Sequence, residues 1–399
     1  MNPLPRLRLK KNEDRRLRAG HAWIFSNEVD TAATPLKGFP AGALAVIENA
    51  KGEPLGQAYV NPDSLISARL LCRDIQAPID RGFFAKRLER ARDWRERAYP
   101  APYYRLVFGE SDGLPGLVVD RLGEVFVVQA NTLGMEQLQE PLLAALEKVF
   151  APQAVVIKNT SSLRALEGLD SYTRIALGAV DGPVEIIENG AKFLADPIHG
   201  QKTGWFFDHR DNRARLAGLC RGQRVLDLFA YAGAWGVQAA VAGAAQVDCV
   251  DASESALALA AENARRNGVE GTMDFIREDA FEFLKRAREE RQHYDVVVLD
   301  PPAFIKRKKD AHAGLEAYRR LNQAALQVLA YGGVLVSASC SFHLQTDALH
   351  DLLRASARHL DRHLTFFARG GQAADHPVHP AIPETDYLKA FFCTVGRAF

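Results

Sequence analysis

A chain of 399 residues with 47% hydrophobic and 25% charged side chains is too long for one ordinary core and too apolar to be mainly disordered, so two or three folded domains are expected. The formal net charge of +1 excludes a uniformly basic protein, and any footprint for a polyanion must come from local clusters. Five cysteines, Cys72, Cys220, Cys249, Cys340 and Cys393, are widely spaced with no C-x-x-C pair, which disfavours a disulfide framework and a zinc site.

The charged, proline-interrupted start does not resemble a secretory signal. The apolar stretch 230–250 is broken by Gln238, Gln246 and Asp248 and reads poorly as a membrane span. A cytoplasmic location is expected. Within 6–18 the cations Arg6, Arg8, Lys10, Lys11, Arg15, Arg16 and Arg18 face only Glu13 and Asp14, as in a solvated charged surface or a phosphate contact. Short β-branched and aromatic runs follow at 21–29, 43–48, 56–60 and 66–73, with a hairpin turn at 49–52, and predict a small β-rich domain over 1–75.

Phe84, Leu88, Ala91, Trp94 and Ala98 recur near helical spacing, which predicts an amphipathic connector helix over 80–99. Strands at 117–120, 125–130 and 154–158 and a helix over 136–150 predict an α+β domain over 76–190. Strands then alternate with helices, at 225–229, 246–250, 272–276, 294–299 and 333–339, the signature of βαβ crossovers and a parallel sheet covered on both faces. The last two strands, 364–368 and 388–395, lack a crossover between them and predict an antiparallel pair at one edge of this α/β domain, 191–399.

Ligands of such sheets bind beyond the carboxyl ends of the strands, so the loops there carry the argument. The run from Asp227 through Phe229 and Gly233 to Gly236 follows the first strand, and Gly233 lets the backbone approach a ligand. It is not G-x-G-x-x-G, which lowers a dinucleotide reading. Asp251 and Ser253 end the second strand, where a carboxylate can accept from both ribose hydroxyls. Asp279 and Ala280 end the third, where they can meet an adenine edge. Each acid alone could be a helix cap; in order, at successive strand ends, they point to an adenosyl cofactor.

Asp300-Pro301-Pro302-Ala303-Phe304 follows the fourth strand, with prolines that restrict the backbone. Such a loop recurs in nucleic-acid methyltransferases, where it holds the polar edge of the target base. The fifth strand runs into Ser339-Cys340-Ser341, which places Cys340 beside the Asp300 loop. Carbon 5 of a pyrimidine is a poor nucleophile until a thiolate adds at carbon 6, and that chemistry gives a cysteine at this strand end a reason to exist. The other four cysteines are assigned to packing. Lys306, Arg307, Lys308 and Lys309, directly after Phe304, form a second basic cluster suited to phosphates.

These residues resemble the RlmI group of bacterial 23S ribosomal RNA cytosine-C5 methyltransferases over nearly the whole chain. The resemblance is carried by Gly20-His21-Ala22-Trp23-Ile24-Phe25, by 108–116 from Phe108 to Gly116, and by Lys202-Thr203-Gly204 through Asp208 and Arg210. Asp300-Pro301-Pro302, Ser339-Cys340-Ser341 and Gln372-Ala373-Ala374-Asp375-His376-Pro377 complete it. It implies an N-terminal PUA domain that binds RNA, a central α+β domain and a C-terminal class I Rossmann-like methyltransferase domain that uses S-adenosylmethionine. It implies further that the segment with Lys202, Thr203, Gly204, Asp208 and Arg210 packs over the cofactor, that Asp251 holds the ribose and that Cys340 is the nucleophile. Pro302 stands where many RNA cytosine-C5 enzymes carry a second cysteine, leaving a water or Asp300 to remove the C5 proton.

The expected reaction is methyl transfer to cytosine C5 in rRNA processing. Cys340 and Asp300 are catalytic in it, Asp300 also borders the cofactor, and Pro301, Pro302, Phe304, Lys306 and Arg307 lie on the substrate side. Expected partners are 23S rRNA or a large-subunit assembly intermediate, with no membrane and a homodimer left open. Methylation of an exocyclic base nitrogen is the alternative chemistry, and a ribosome assembly factor that binds RNA without turnover is the alternative class.

Overall fold

A computed structural model describes residues 3–398. The chain divides into two compact units. The first takes everything up to Val184 together with Ala195–Phe207 and Ala374–Thr385; the second takes Glu185–Leu194, Asp208–Ala373 and Asp386 onward. The β-rich and α+β regions thus share one unit, which two later segments rejoin.

In the first unit a five-stranded sheet is built from Arg6–Arg8, Leu44–Glu48, Pro54–Val60, Ile66–Cys72 and Trp23–Phe25. The basic run at 6–18 is not merely a solvated face. Arg6–Arg8 pairs in parallel with Leu44–Glu48, Leu7 and Leu9 are wholly buried, and Arg6 and Arg8 both reach Glu48. Arg16 meets Glu28 at 3.2 Å and Arg18 meets Asp14 at 2.6 Å. Glu28 and Glu48, which neutralise much of this run, lie outside it in sequence.

The second sheet of this unit runs, in spatial order, Tyr172–Gly178, Ala154–Asn159, Val125–Ala130, Leu117–Leu122 and Tyr103–Phe108. The helix Arg81–Ala98 is part of its core, not a connector. Phe83, Phe84, Ala85, Leu88 and Ala91 join one apolar cluster with Leu106, Val119 and Val128. The expected apolar face is corrected at its end. Trp94 is 50% exposed and Arg95 is turned inward, where its guanidinium meets both oxygens of Asp112 at 2.7 Å. A bidentate pair of that quality offsets desolvation that a lone buried arginine could not bear.

The second unit holds a seven-stranded sheet in the order Met273–Arg277, Gln246–Asp251, Arg224–Leu228, Tyr294–Leu299, Leu329–Ser339, Lys389–Arg397, Arg362–Gly370. The first five strands are parallel and the last two form the antiparallel edge pair. Its central strands read as nearly continuous Val and Leu because helices cover both faces. Among the described residues no helix is long and apolar enough to cross a membrane.

Candidate active site

In the second unit, strand order reverses at Arg224–Leu228, which has Gln246–Asp251 on one side and Tyr294–Leu299 on the other. Because these strands are parallel, the loops after Leu228, Asp251, Leu299 and Ser339 leave the same edge of the sheet. The first loop is conformationally unusual: Phe229, Tyr231 and Gly233 have φ of 62°, 49° and 72°. Left-handed backbone costs about 1–2 kcal/mol at each non-glycine residue and is held only where neighbours over-determine it. Here Ala230 N donates to Val250 O (3.1 Å) and Tyr231 N to Asp251 Oδ2 (2.9 Å). At Gly233 a Cβ would stand 3.0 Å from the Ala260 Cβ, so the turn is shaped for glycine.

The acids at these strand ends have different fates. Asp251 is half-buried and pinned by one amide per oxygen, from Tyr231 and from Ser253 (2.8 Å), which leaves each oxygen a further lone pair for a vicinal diol. Ser253 caps its own helix, accepting from Ala256 N. Asp227 is wholly buried; Oδ2 accepts from Gly236 N (2.9 Å) and Oδ1 has no hydrogen-bond partner among the described residues. Burial pushes its carboxyl up to about 8, relieved in part by the Gly236 N–H and reinforced by the charges of Asp300 and Asp251. Asp279 is exposed and its carboxylate accepts from Phe281 N and Glu282 N at 2.9 and 3.3 Å, capping the helix that begins at Ala280.

Asp300 receives Trp235 Nε1 on Oδ2 at 3.0 Å, and His209 Nε2 stands 3.2 Å from Oδ1, at an angle too poor for a full hydrogen bond. The tautomer of His209 follows from its other neighbour. Asn212 Nδ2 donates to Gly371 O (2.9 Å), which fixes that atom as nitrogen, and the same nitrogen lies 3.1 Å from His209 Nδ1. Nδ1 therefore accepts, which leaves Nε2 to carry a proton toward Asp300. Burial raises the Asp300 carboxyl, but the nearby His209 ring and the Trp235 indole N–H outweigh it and hold the group below the usual carboxylate range. Trp235 and His209 fall within the stretches 227–236 and 202–210, but nothing local in the sequence singles them out beyond an indole that opens the helix after the glycine turn.

Cys340 is half-buried just past the end of its strand, bracketed by two buried serines. The hydroxyl of Tyr318, on the helix Ala311–Val328, lies 2.8 Å from Ser339 Oγ and 2.9 Å from Ser341 Oγ, and Ser341 Oγ accepts from Ile305 N (3.3 Å). The Phe304 ring packs on Tyr318 with centroids 4.8 Å apart. The Asp-Pro-Pro loop and the cysteine loop are thereby clamped to one another. Pro301 is buried, Pro302 exposed, and Lys306 and Arg307 are exposed, Arg307 paired with Asp310 at 3.0 Å.

Asp208 and Arg210 also belong to this unit. Asp208 Oδ2 accepts from Tyr387 OH (2.6 Å), and Arg210 Nε lies 3.7 Å from Glu188. Lys202, Thr203 and Gly204 fold with the first unit. There Thr203 is buried, Lys202 Nζ stands 4.6 Å over the Phe206 ring, and a Cβ on Gly204 (φ +104°) would meet Asp196 O at 2.5 Å.

A family described as S-adenosylmethionine-dependent methyltransferase matches residues 136–391, and one described as a PUA-like domain matches 7–73. The chain is 36% identical to ribosomal RNA large subunit methyltransferase I from Klebsiella pneumoniae over 98% of each chain. It is also 36% identical to the protein of that name from Erwinia tasmaniensis, over 98% of this chain and 99% of that one. The crystal structure of a candidate methyltransferase complexed with SAH superposes with a TM-score of 0.83 at 20% identity, covering 98% of this chain and 100% of that chain, which shows the same fold. The glycine turn and the twice-anchored Asp251 fit the adenosyl group of that cofactor class. The chain belongs to the family of ribosomal RNA large subunit methyltransferase I and is an S-adenosylmethionine-dependent methyltransferase with a PUA-like N-terminal domain.

Proposed function

We propose that this enzyme methylates carbon 5 of a cytosine in 23S ribosomal RNA in the cytoplasm, with residues 1–75 as the RNA-binding PUA-like domain, 76–190 as the central domain and 191–399 as the catalytic domain. The names of the relatives support ribosomal RNA as substrate. The observation that carries the chemistry is the clamp holding the Cys340 loop to the Asp300 loop.

S-adenosylmethionine, when bound, supplies a methyl group on a positively charged sulfur. Asp251 holds its ribose, with the Phe229–Gly233 turn, Ser253, Asp279 and Ala280 bordering the adenosyl group, Asp227 bracing the turn from behind, and Asp208 and Arg210 on the segment that covers it. Cys340 attacks carbon 6 of the cytosine as a thiolate; the new S–C6 bond pushes the C5=C6 electron pair onto carbon 5, which is thereby made nucleophilic toward the methyl group, whose departing sulfur would keep the S–CH3 electron pair as a neutral thioether. Asp300, kept ionised by Trp235 and His209, accepts a hydrogen bond from the exocyclic amino group; a water gives N3 a proton as negative charge builds there and recovers it when the ring is restored. Removal of the C5 proton returns its electron pair to the ring and expels the thiolate. The lowered proton affinity of Asp300 favours water as the acceptor of that proton. Pro301, Pro302 and Phe304 border the base, and Lys306 and Arg307 meet phosphates.

Trapping with RNA containing 5-fluorocytosine tests this, because fluorine at carbon 5 cannot leave as a proton does and the adduct persists. A denaturation-resistant adduct is expected with the wild type and none with Cys340→Ala, which also loses methyl transfer while calorimetry finds its cofactor affinity unchanged. Near-normal turnover in that variant would overturn the C5 mechanism in favour of an exocyclic nitrogen target.

A further inference from the structure

The strand Lys389–Arg397 runs antiparallel to Leu329–Ser339, and Lys389 is the register partner of Ser339, the residue before Cys340. Its side chain is 7% exposed. The ammonium donates to Ser341 O and to Tyr387 O, each at 3.0 Å, so it is tied to the backbone on the far side of the cysteine and to its own strand entrance. Among the described residues no carboxylate comes within ion-pair distance of Lys389 Nζ. A buried ammonium satisfied by two carbonyls has its hydrogen bonds but no ion pair, and the charge of Asp386 acts on it only from beyond ion-pair distance.

We propose that Lys389 is a positioning residue that keeps Cys340 in its thiolate form, the thiolate and the ammonium each favouring the charged state of the other. The inference rests on the reading of Cys340 as nucleophile. The charged and titratable groups around the pair come from three further places. They are Tyr318 on the helix packed beneath the serines, Asp386 just before the strand, and Asp300 at the head of the neighbouring loop. Burial pushes the Lys389 ammonium down, opposed by the negative charges of Asp386 and of the Cys340 thiolate. Pairwise electrostatic coupling is reciprocal, so an ammonium stabilised by the thiolate stabilises it equally. Tyr318 cannot take this part: burial raises its hydroxyl, which stays neutral as the hydroxyl clamp requires.

The test is the pH dependence of Cys340 alkylation by iodoacetamide in the full-length protein, read by mass mapping of the Cys340 peptide so that Cys72 and the three buried cysteines do not contribute. The wild-type midpoint is expected below the value of about 8.5 for a free thiol. Lys389→Met should raise it by about one pH unit, roughly a tenfold loss of thiolate at pH 7, and Lys389→Arg should restore most of it. The acid limb of methyl transfer should move with it. A merely structural lysine would shift the melting temperature and leave the midpoint where it was, which overturns the proposal. Should Lys389→Met not fold, a wild-type midpoint at or above that of a free thiol overturns it just as well. The two readings fail separately: near-normal turnover of Cys340→Ala removes the nucleophile, whereas an unmoved midpoint removes the lysine's hold on the thiol.

Discussion

Asp227 and Asp251 stand on neighbouring strands two residues apart in register, yet only burial tells their roles apart. Asp251 has both oxygens anchored and partly open to solvent. Asp227 is enclosed, with one oxygen unsatisfied and its carboxyl raised to about 8. A raised carboxyl means that the native state binds a proton the unfolded chain releases near pH 4. Its contribution to stability is therefore complete below about pH 4 and is lost as pH rises toward 8. Asparagine is neutral throughout. Between pH 5 and pH 8 the wild type should lose stability relative to Asp227→Asn, by an amount on the order of a few kcal/mol. Thermal melts of both proteins at the two pH values check this, and parallel shifts would show that Asp227 does not titrate in that window.

Among elements, the loop after Phe304 and the N-terminal strand carry the two basic clusters, and the fold treats them differently. Arg6, Arg8, Arg16 and Arg18 already face Glu48, Glu28 and Asp14. In the loop only Arg307 has an ion pair among the described residues, with Asp310, while Lys306, Lys308 and Lys309 are exposed with no carboxylate in reach. Each phosphate contact on single-stranded RNA adds about 0.7 to the slope of log affinity against log salt, so neutralising all four loop cations should flatten that slope by roughly two units. Truncating the N-terminal cations should weaken binding less and leave turnover at saturating RNA intact. Binding isotherms at several salt concentrations decide, and a loop variant with the wild-type slope and activity would take the loop out of the RNA track.

At the scale of the whole molecule, the PUA-like and central sheets belong to one compact unit because a polar seam locks them. Glu167 accepts from Arg69 Nη1 (2.8 Å) of the small sheet and from Asn61 Nδ2 (2.9 Å) and Ser64 Oγ (3.2 Å) in the turn between two of its strands, and Tyr59 OH donates to Pro115 O (2.9 Å). Glu167 and Arg69 are both buried, so removing one partner strands the other's charge. Glu167→Ala should cost about 3–5 kcal/mol and let the N-terminal sheet melt ahead of the central one. Calorimetry would show a new low-temperature transition; an unchanged single transition would mean that the seam contributes little.

Local pattern was enough to read the alternation of strands and helices, the parallel sheet, the antiparallel edge pair, and the loops at the strand ends that carry Gly233, Asp251, Asp300 and Cys340. Side-chain period and the handedness of crossovers act within a few dozen residues, so they are written into the sequence itself. What the chain does between distant positions was not legible there. Trp235 and His209 converge on Asp300, Lys389 reaches the Cys340 loop, Arg95 turns inward to Asp112, and the segments Ala195–Phe207 and Ala374–Thr385 return to the first unit. Each of these depends on which groups meet after folding and on how far water is excluded where they meet, and the same aspartate or lysine is a cap, a brace or a reactive partner according to that surrounding alone.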